Sequence, residues 1–355
     1  MSMMRAWLMG LVVAGATVLG ACGGGNENQP AAGGGGTSGA GAGGSTGGNI
    51  AVYLLPKTKG NPYFETCAQG AQEAAKELGT VTLTYDGPTS GSAEEAAKMV
   101  EQWTLKGANV IAVSASNPAT LAPAMEQAQD KGVKVITWDA DTPANSRSLF
   151  VCQASAEQIG TALCDTLAKD IGGGDATKAE GDVAIVTAQM TAANQNEWIK
   201  YIKARLANYP KLKLVDTQPS DDDPSKAQQV TQALIKSNPN LKGIFAISSQ
   251  AFPAAAEAIK QAGKGGQIQI TGLATPNGMK NYVKDGTVKS VVLWNTKDLG
   301  YLTVYAAQAV ANGTYKKGDT SLKAGRLGER KIEGDVLLLG DILVFTKDNI
   351  DQYDF

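Results

Sequence analysis

The chain has 355 residues, with 32 lysines and arginines against 34 aspartates and glutamates, for a net charge of −2. Its basic residues are scattered and form no stripe, which argues against a nucleic-acid surface. It contains no histidine, so Ser-His-Asp and Cys-His catalysis are excluded and the commonest metal ligand is missing.

The N-terminus opens with Arg5 and an apolar run from Ala6 to Ala21, shorter than the about 20 residues a membrane span needs. A basic start, an apolar stretch and small residues at its end describe a secretory signal. It closes on "LGAC", Leu19 to Cys22, which resembles the lipobox of bacterial lipoproteins. Residues 1–22 are therefore expected to be a lipoprotein signal peptide, with Cys22 as the lipidated residue anchoring an extracytoplasmic protein. Residues 23–48 are half glycine and cannot build a packed core. As a flexible tether they would reach about 30 Å. After Cys22 come Cys67, Cys152 and Cys164. None lies in a CxxC pair, so a structural zinc site is not expected. Cys152 and Cys164 could pair, and buried unpaired thiols are the alternative.

From Asn49 the pattern alternates. "NIAVYLL" (49–55) predicts a strand, and Asn61-Pro62 predicts a helix start, with Asn as cap and Pro at the first helical position. Phe64, Cys67, Ala68, Ala71, Ala75 and Leu78 recur at helical spacing, and Gly79 closes that helix. Further strands are predicted at 81–85, 109–115 and 133–138, with helices from Ser92 to Lys106 and from Ala119 to Lys131. The series then restarts with strands at 182–188, 213–218, 243–248, 268–274, 289–294 and 341–346. Near-continuous apolar strands separated by helices imply parallel sheets covered on both faces. The fold class is thus α/β, with two doubly wound parallel-sheet lobes joined by a hinge. The first lobe is expected over 49–152 plus about 297–330, and the second over 153–294 plus about 331–355. The chain would cross near Val151–Gln153, near Asn295 and before the last strand.

In open α/β sheets ligands lie beyond the carboxyl ends of the strands. "VITWDADT" (135–142) ends a strand in Asp139 and Asp141, which then point at the crevice between the lobes. Lys57 follows the first strand, and Tyr63 and Phe64 begin the first helix. Phe64 also lies on that helix's apolar stripe. In the second lobe, Asn194 and Gln195 open a helix after a strand, Ser249 follows "GIFAI", and Asn295 follows "VVLW". Carboxylates, amides and hydroxyls match the many hydroxyls of a sugar, and aromatic rings match its C–H faces. Each aspartate could instead serve a turn or cap, Asn194 could cap its helix, and Trp138 could be core. Asp221-Asp222-Asp223-Pro224 reads as a solvated loop ending in a helix start. "AGKGGQ" (262–267) reads as a turn, since neither Ser, Thr nor a helix follows its GK.

The segments "YDGPT" (85–89), "TWDADT" (137–142), "NQNEW" (194–198), "TPNGM" (275–279), "GTVKSVVLWN" (286–295) and "KDNIDQYDF" (347–355) resemble those of the type I periplasmic binding proteins of bacterial ABC importers. The resemblance is to the branch that holds the autoinducer-2 receptor of the Lsr system and the rhamnose-binding protein. It implies a monosaccharide ligand such as a deoxyhexose, binding without chemistry or cofactor, ABC permease subunits as partners, and a monomer. Lys57 and Asp139 match two ligand-holding positions of the autoinducer-2 receptor. Its Asp-Gln pair is Asn194-Gln195 here, and its later Pro and Ala positions are Ile247 and Ser249, so half of that pattern is altered. A sensor for a chemoreceptor or kinase is an alternative role. A glycosidase using Asp139 and Asp141 is another, although acids at i and i+2 do not flank a scissile bond.

Overall fold

Each strand expected from Asn49 onward is present in the computed structural model, which describes residues 49–355. The signal, lipobox and tether readings lie outside the described residues. The first lobe begins with β1 (Ile50–Leu55), α1 (Pro62–Leu78), β2 (Val81–Tyr85), α2 (Ala93–Leu105), β3 (Val110–Val113), α3 (Pro118–Asp130), β4 (Lys134–Trp138) and β5 (Phe150–Cys152). The chain then crosses into α4 (Ala156–Ile171), β6 (Gly181–Thr187), α5 (Ala193–Leu206), β7 (Leu212–Pro219), α6 (Pro224–Ser237), β8 (Leu241–Ala246), α7 (Ala251–Gln261), β9 (Gln269–Gly272), α8 (Pro276–Lys284) and β10 (Val291–Leu293). It returns through α9 (Thr296–Asn312), β11 (Ser321–Lys323), β12 (Glu329–Glu333) and β13 (Val336–Leu338), and ends with β14 (Leu343–Phe345).

The first sheet runs β11-β12-β13-β5-β4-β3-β1-β2, and the second runs β7-β6-β8-β9. The antiparallel pair β10-β14 continues the second sheet through a bridge between Leu273 and Val292. From β2 to β13 the first sheet is parallel. Its strands obey the two-residue period. Val52, Leu54, Val110, Ala112 and Ile136 face the side of α1, while Leu55, Ile111, Val113 and Val135 face α2 and α3. Covering both faces in this way makes the strands read as unbroken apolar runs.

The sequence reading placed residues from about 331 in the second lobe, and this is corrected. Val336, Leu337 and Leu338 of β13 pair in parallel with Phe150, Val151 and Cys152 of β5, so the β12–β13 hairpin extends the first sheet. The hairpin turns on Gly334-Asp335, with Gly334 at φ 67°, a backbone suited to glycine. The third crossing therefore follows Leu338. It lies beside the first, with Leu339 N donating to Cys152 O at 2.8 Å and Gly340 N to Gln153 O at 3.3 Å.

Helix α9 packs on α1 at backbone distance. A Cβ on Gly70 would sit 1.7 Å from the Lys297 carbonyl oxygen, and one on Gly300 1.7 Å from that of Cys67. This reciprocal glycine contact fixes the start of α1, and hence Tyr63, against the segment that leaves β10. Cys67, Cys152 and Cys164 are all free thiols. Among the described residues no helix is long and apolar enough to cross a membrane.

Candidate functional site

A cavity of about 320 Å³ lies between the carboxyl ends of the two sheets, within the range of about 300–1,000 Å³ usual for small-molecule sites. From the first lobe it is lined by Lys57, Asn61, Tyr63, Phe64, Ser116 and Asp139, and from the second by Asn194, Gln195, Trp198, Asp222, Ile247, Ser248, Ser249 and Trp294, among others.

Asp139 is the hub of the first wall. It is 4 % exposed and its φ is 61°, a left-handed backbone that Asp adopts more readily than most residues. Its Oδ1 accepts from Tyr63 Oη at 2.8 Å, its Oδ2 accepts from Ser114 Oγ at 2.7 Å, and Lys57 Nζ stands 3.5 Å away. Tyr63 reaches this position because Asn61 caps α1, accepting from Tyr63 N at 3.0 Å. Burial and the Asp139 charge push the Tyr63 phenol well above its ordinary range, so it stays protonated and donates. Trp294 Nε1 in turn donates to Tyr63 Oη at 3.1 Å.

The second wall is arranged differently. Gln195 Oε1 accepts from Ala188 N at 2.8 Å and from Thr187 Oγ1, which leaves its amide N–H groups to the cavity. Ser248 Oγ donates to Asp222. Asp222 and its neighbour Asp221 hold φ of 57° and 53°. With Asp139, they are the non-glycine residues at positive φ among those described, and all three line the cavity. Each such backbone costs about 1–3 kcal/mol, and concentrating them in one cleft is the usual mark of a functional constraint. Among the described residues three hydrogen bonds cross the cleft: Lys57 Nζ to Asn194 Oδ1 at 3.3 Å, Ser249 Oγ to Asn61 Oδ1 at 3.2 Å, and Trp294 Nε1 to Tyr63 Oη.

The floor is aromatic and spans both lobes. Trp198 meets Trp294 at 6.2 Å, Trp294 meets Tyr63 at 6.0 Å, and Tyr63 meets Phe64 at 5.0 Å, all edge-to-face. Ser116 Oγ, buried and at the cavity, has no protein hydrogen-bond partner among the described residues.

Of the residues expected from sequence, Lys57, Tyr63, Phe64, Asp139, Asn194, Gln195, Ile247 and Ser249 are brought together here. Asp141 and Asn295 are not. Asp141 turns away after Asp139 and takes a two-point ion pair from Arg147, with Nε 2.9 Å from Oδ1 and Nη2 2.7 Å from Oδ2. Asn295 caps α9, its Oδ1 accepting from Asp298 N at 3.2 Å. The residue before it, Trp294, faces the cleft instead. Trp138 is core, its indole N–H shared between Leu55 O and Ala112 O. Sequence reasoning missed Asp222, Trp198 and Trp294. The strand-end rule could have found Trp294, and Trp198 lies one helical turn beyond Asn194. The reading of Asp223 as a helix start holds, since it caps α6, but Asp222 before it is part of the wall.

The three described thiols are disfavoured as thiolates. Burial pushes Cys67 well above the ordinary thiol range and Cys152 and Cys164 up to about 12. Among the described residues no cluster of side chains could hold a metal ion.

Comparison with known proteins agrees with this architecture. The model of the periplasmic binding protein domain matches residues 52–314. The autoinducer-2 complex of LsrB from Clostridium saccharobutylicum is similar, with 28% identity and a TM-score of 0.81, covering 86% of this chain and all of that one. An ABC transporter solute-binding protein from Clostridium phytofermentas with bound L-rhamnose shows 30% identity and a TM-score of 0.80, covering 86% and 98%. The ribose import binding protein of Haemophilus influenzae is 26% identical over 273 residues, 76% of this chain and 88% of its own. The chain belongs to the periplasmic binding protein family, extracytoplasmic proteins that bind a solute and do not transform it.

Proposed function

We propose that the protein captures a monosaccharide, first a rhamnose-like deoxyhexose, in the cleft between its lobes and delivers it to an ABC importer. The observation that carries this is the cavity itself: one carboxylate hub with Lys57 on one wall, the amides of Asn194 and Gln195 on the other, and an aromatic floor joining them. Sugar hydroxyls both donate and accept, so they pair with carboxylate and amide alike. A hydroxyl left unpaired against such a wall costs about 1–3 kcal/mol, which lets the site discriminate hydroxyl patterns. The similarity to a rhamnose-bound solute-binding protein supports the choice of sugar.

Capture proceeds by hinge closure, the established motion of periplasmic binding proteins. The hinge is assigned to the three crossings, 153–155, 294–295 and 339–342. A ligand that touches both walls binds the closed form better and shifts the population toward it. The closed protein, a monomer held to the membrane by lipid on Cys22, is the form the permease would accept.

An autoinducer-2 receptor is the second reading, favoured by Lys57 beside Asp139 and by the likeness to LsrB. Asn194, Ile247 and Ser249, where the receptor carries other residues, weigh against it. A thermal-shift screen of L-rhamnose, other deoxyhexoses, pentoses, hexoses and autoinducer-2 decides between them. A ligand at 100 times its Kd stabilises the native state by about 2.7 kcal/mol. A shift with autoinducer-2 alone replaces the first reading with the second, and no shift with any of them rejects both.

A further inference from the structure

We infer that Asp222 determines the ligand class of the cleft: it accepts a hydroxyl of a neutral sugar from the second lobe and keeps sugar acids and sugar phosphates out. This rests on the monosaccharide reading given above.

The argument starts from charge. Four aspartates line the cavity, Asp139 from the first lobe and Asp221, Asp222 and Asp223 from one loop of the second. The cation that lines the same cavity is Lys57, which stands 3.5 Å from Asp139 and donates to Asn194. Asp221 has its own partner in Lys226, and Asp223 is committed to the cap of α6. Among the described residues, the Asp222 side chain has one hydrogen bond, from Ser248, and no ion pair. An ionised carboxylate accepts at about four sites, so its acceptor capacity is mostly unspent and faces the cavity. A donor hydroxyl satisfies it, whereas a carboxylate or phosphate brought beside it adds like charge, and Lys57 is already shared between Asp139 and Asn194.

The backbone points the same way. Asp222 and Asp221 sit in succession at positive φ, which curls the β7–α6 loop inward and brings the side chain to Ser248 at the end of β8. Asn tolerates this conformation about as well as Asp. Asp222→Asn therefore removes the charge and leaves the loop's shape.

The experiment measures affinities of wild type, Asp222→Asn and Ser248→Ala for L-rhamnose, D-ribose and D-allose, and for the anionic probes D-glucuronate and ribose 5-phosphate. Calorimetry gives Kd, and ligand-free melting temperature checks folding. Wild type is expected to bind at least one neutral sugar and neither anion at millimolar concentration. Asp222→Asn should bind that sugar at least tenfold more weakly and narrow its preference over the anions at least tenfold. Ser248→Ala, which removes the hydroxyl that donates to Asp222, should do the same to a smaller extent and keeps the inference testable if Asp222→Asn does not fold. Wild-type binding with affinity and preference within twofold in both variants overturns the role of Asp222 and leaves the monosaccharide reading standing. Wild type binding an anionic probe more tightly than every neutral sugar overturns the inference outright. Wild type binding none of the neutral sugars overturns the monosaccharide reading, and this inference with it.

Discussion

The buried and half-buried carboxylates of the two lobes are treated differently. In the first lobe Asp139 receives two hydroxyl donors and a lysine. In the second, Asp222 and Asp170 each receive a single serine hydroxyl, from Ser248 and Ser290. Burial accordingly dominates in the second lobe. It raises Asp222 above the ordinary carboxylate range, against Ser248 and Lys57, and raises Asp170 to about 6, against Ser290, Lys289 and Lys169. The difference teaches that one wall is set in advance while the other is left with capacity to spare. A hinged binder needs that, since the ligand must supply something that the open protein lacks.

The comparison can be broken first at Asp139. Asp139→Ala strips the hub from Tyr63 and Ser114 and leaves Lys57 without its carboxylate. Affinity for the cognate sugar should fall by roughly 100-fold or more, the loss expected for charge-assisted hydrogen bonds worth about 1.5–3 kcal/mol each. Calorimetry reads it, and an affinity unchanged within twofold would remove Asp139 from the site.

Asp170 sharpens the contrast through stability. It is buried at the end of α4, and its Oδ2 has no partner among the described residues. Its folded-state value of about 6 lies above the ordinary 3.8, so the native state holds the proton more tightly than the unfolded chain does. The stabilisation is full below the unfolded value and is lost as pH rises through the folded one, a change of about 3 kcal/mol at most. Urea unfolding should therefore show wild type losing up to that amount relative to Asp170→Asn between about pH 4 and pH 7. Parallel curves for the two proteins would contradict it.

Trp294 tests the link between the walls. Trp294→Phe keeps the aromatic floor but removes the donor to Tyr63 Oη. The expected cost is about 1 kcal/mol, roughly fivefold in affinity, and an unchanged Kd would show that the indole N–H contributes only packing. The smallest effect belongs to Asp141→Asn. Because Asp141 faces Arg147 and lies outside the cavity, affinity should change by about twofold or less even though the melting temperature falls. A tenfold loss of affinity would return Asp141 to the site.

Most of the fold was legible because both faces of each sheet are covered, which writes strands into the sequence as apolar runs with capped helices between them. The lobe membership of residues 331–338 was not. "DVLLLGDILVFT" holds two apolar runs, and nothing local says that the first completes the edge at β5 while the second pairs with β10. In the site, the strand-end rule found Lys57, Tyr63 and Asp139 because those positions follow directly from parallel topology. It failed at Asp141 because the positive φ at Asp139 redirects the chain, and the guanidinium that takes Asp141 lies six residues on. It slipped by one at Asn295, whose side chain the α9 terminus claims. Asp222 escaped notice because three successive aspartates read as a solvated loop, and only the left-handed backbone at 221 and 222 turns one of them inward.

The central claim is that one monosaccharide is held between the two walls. A crystal structure of the wild-type protein grown with the sugar that raises its melting temperature most tests this directly. The account predicts a single intact sugar in the cleft, hydrogen-bonded to Asp139 on one side and to Asn194 or Gln195 on the other, with its C–H face on the Trp294–Tyr63 floor. An empty cleft with the sugar bound at another surface would contradict it.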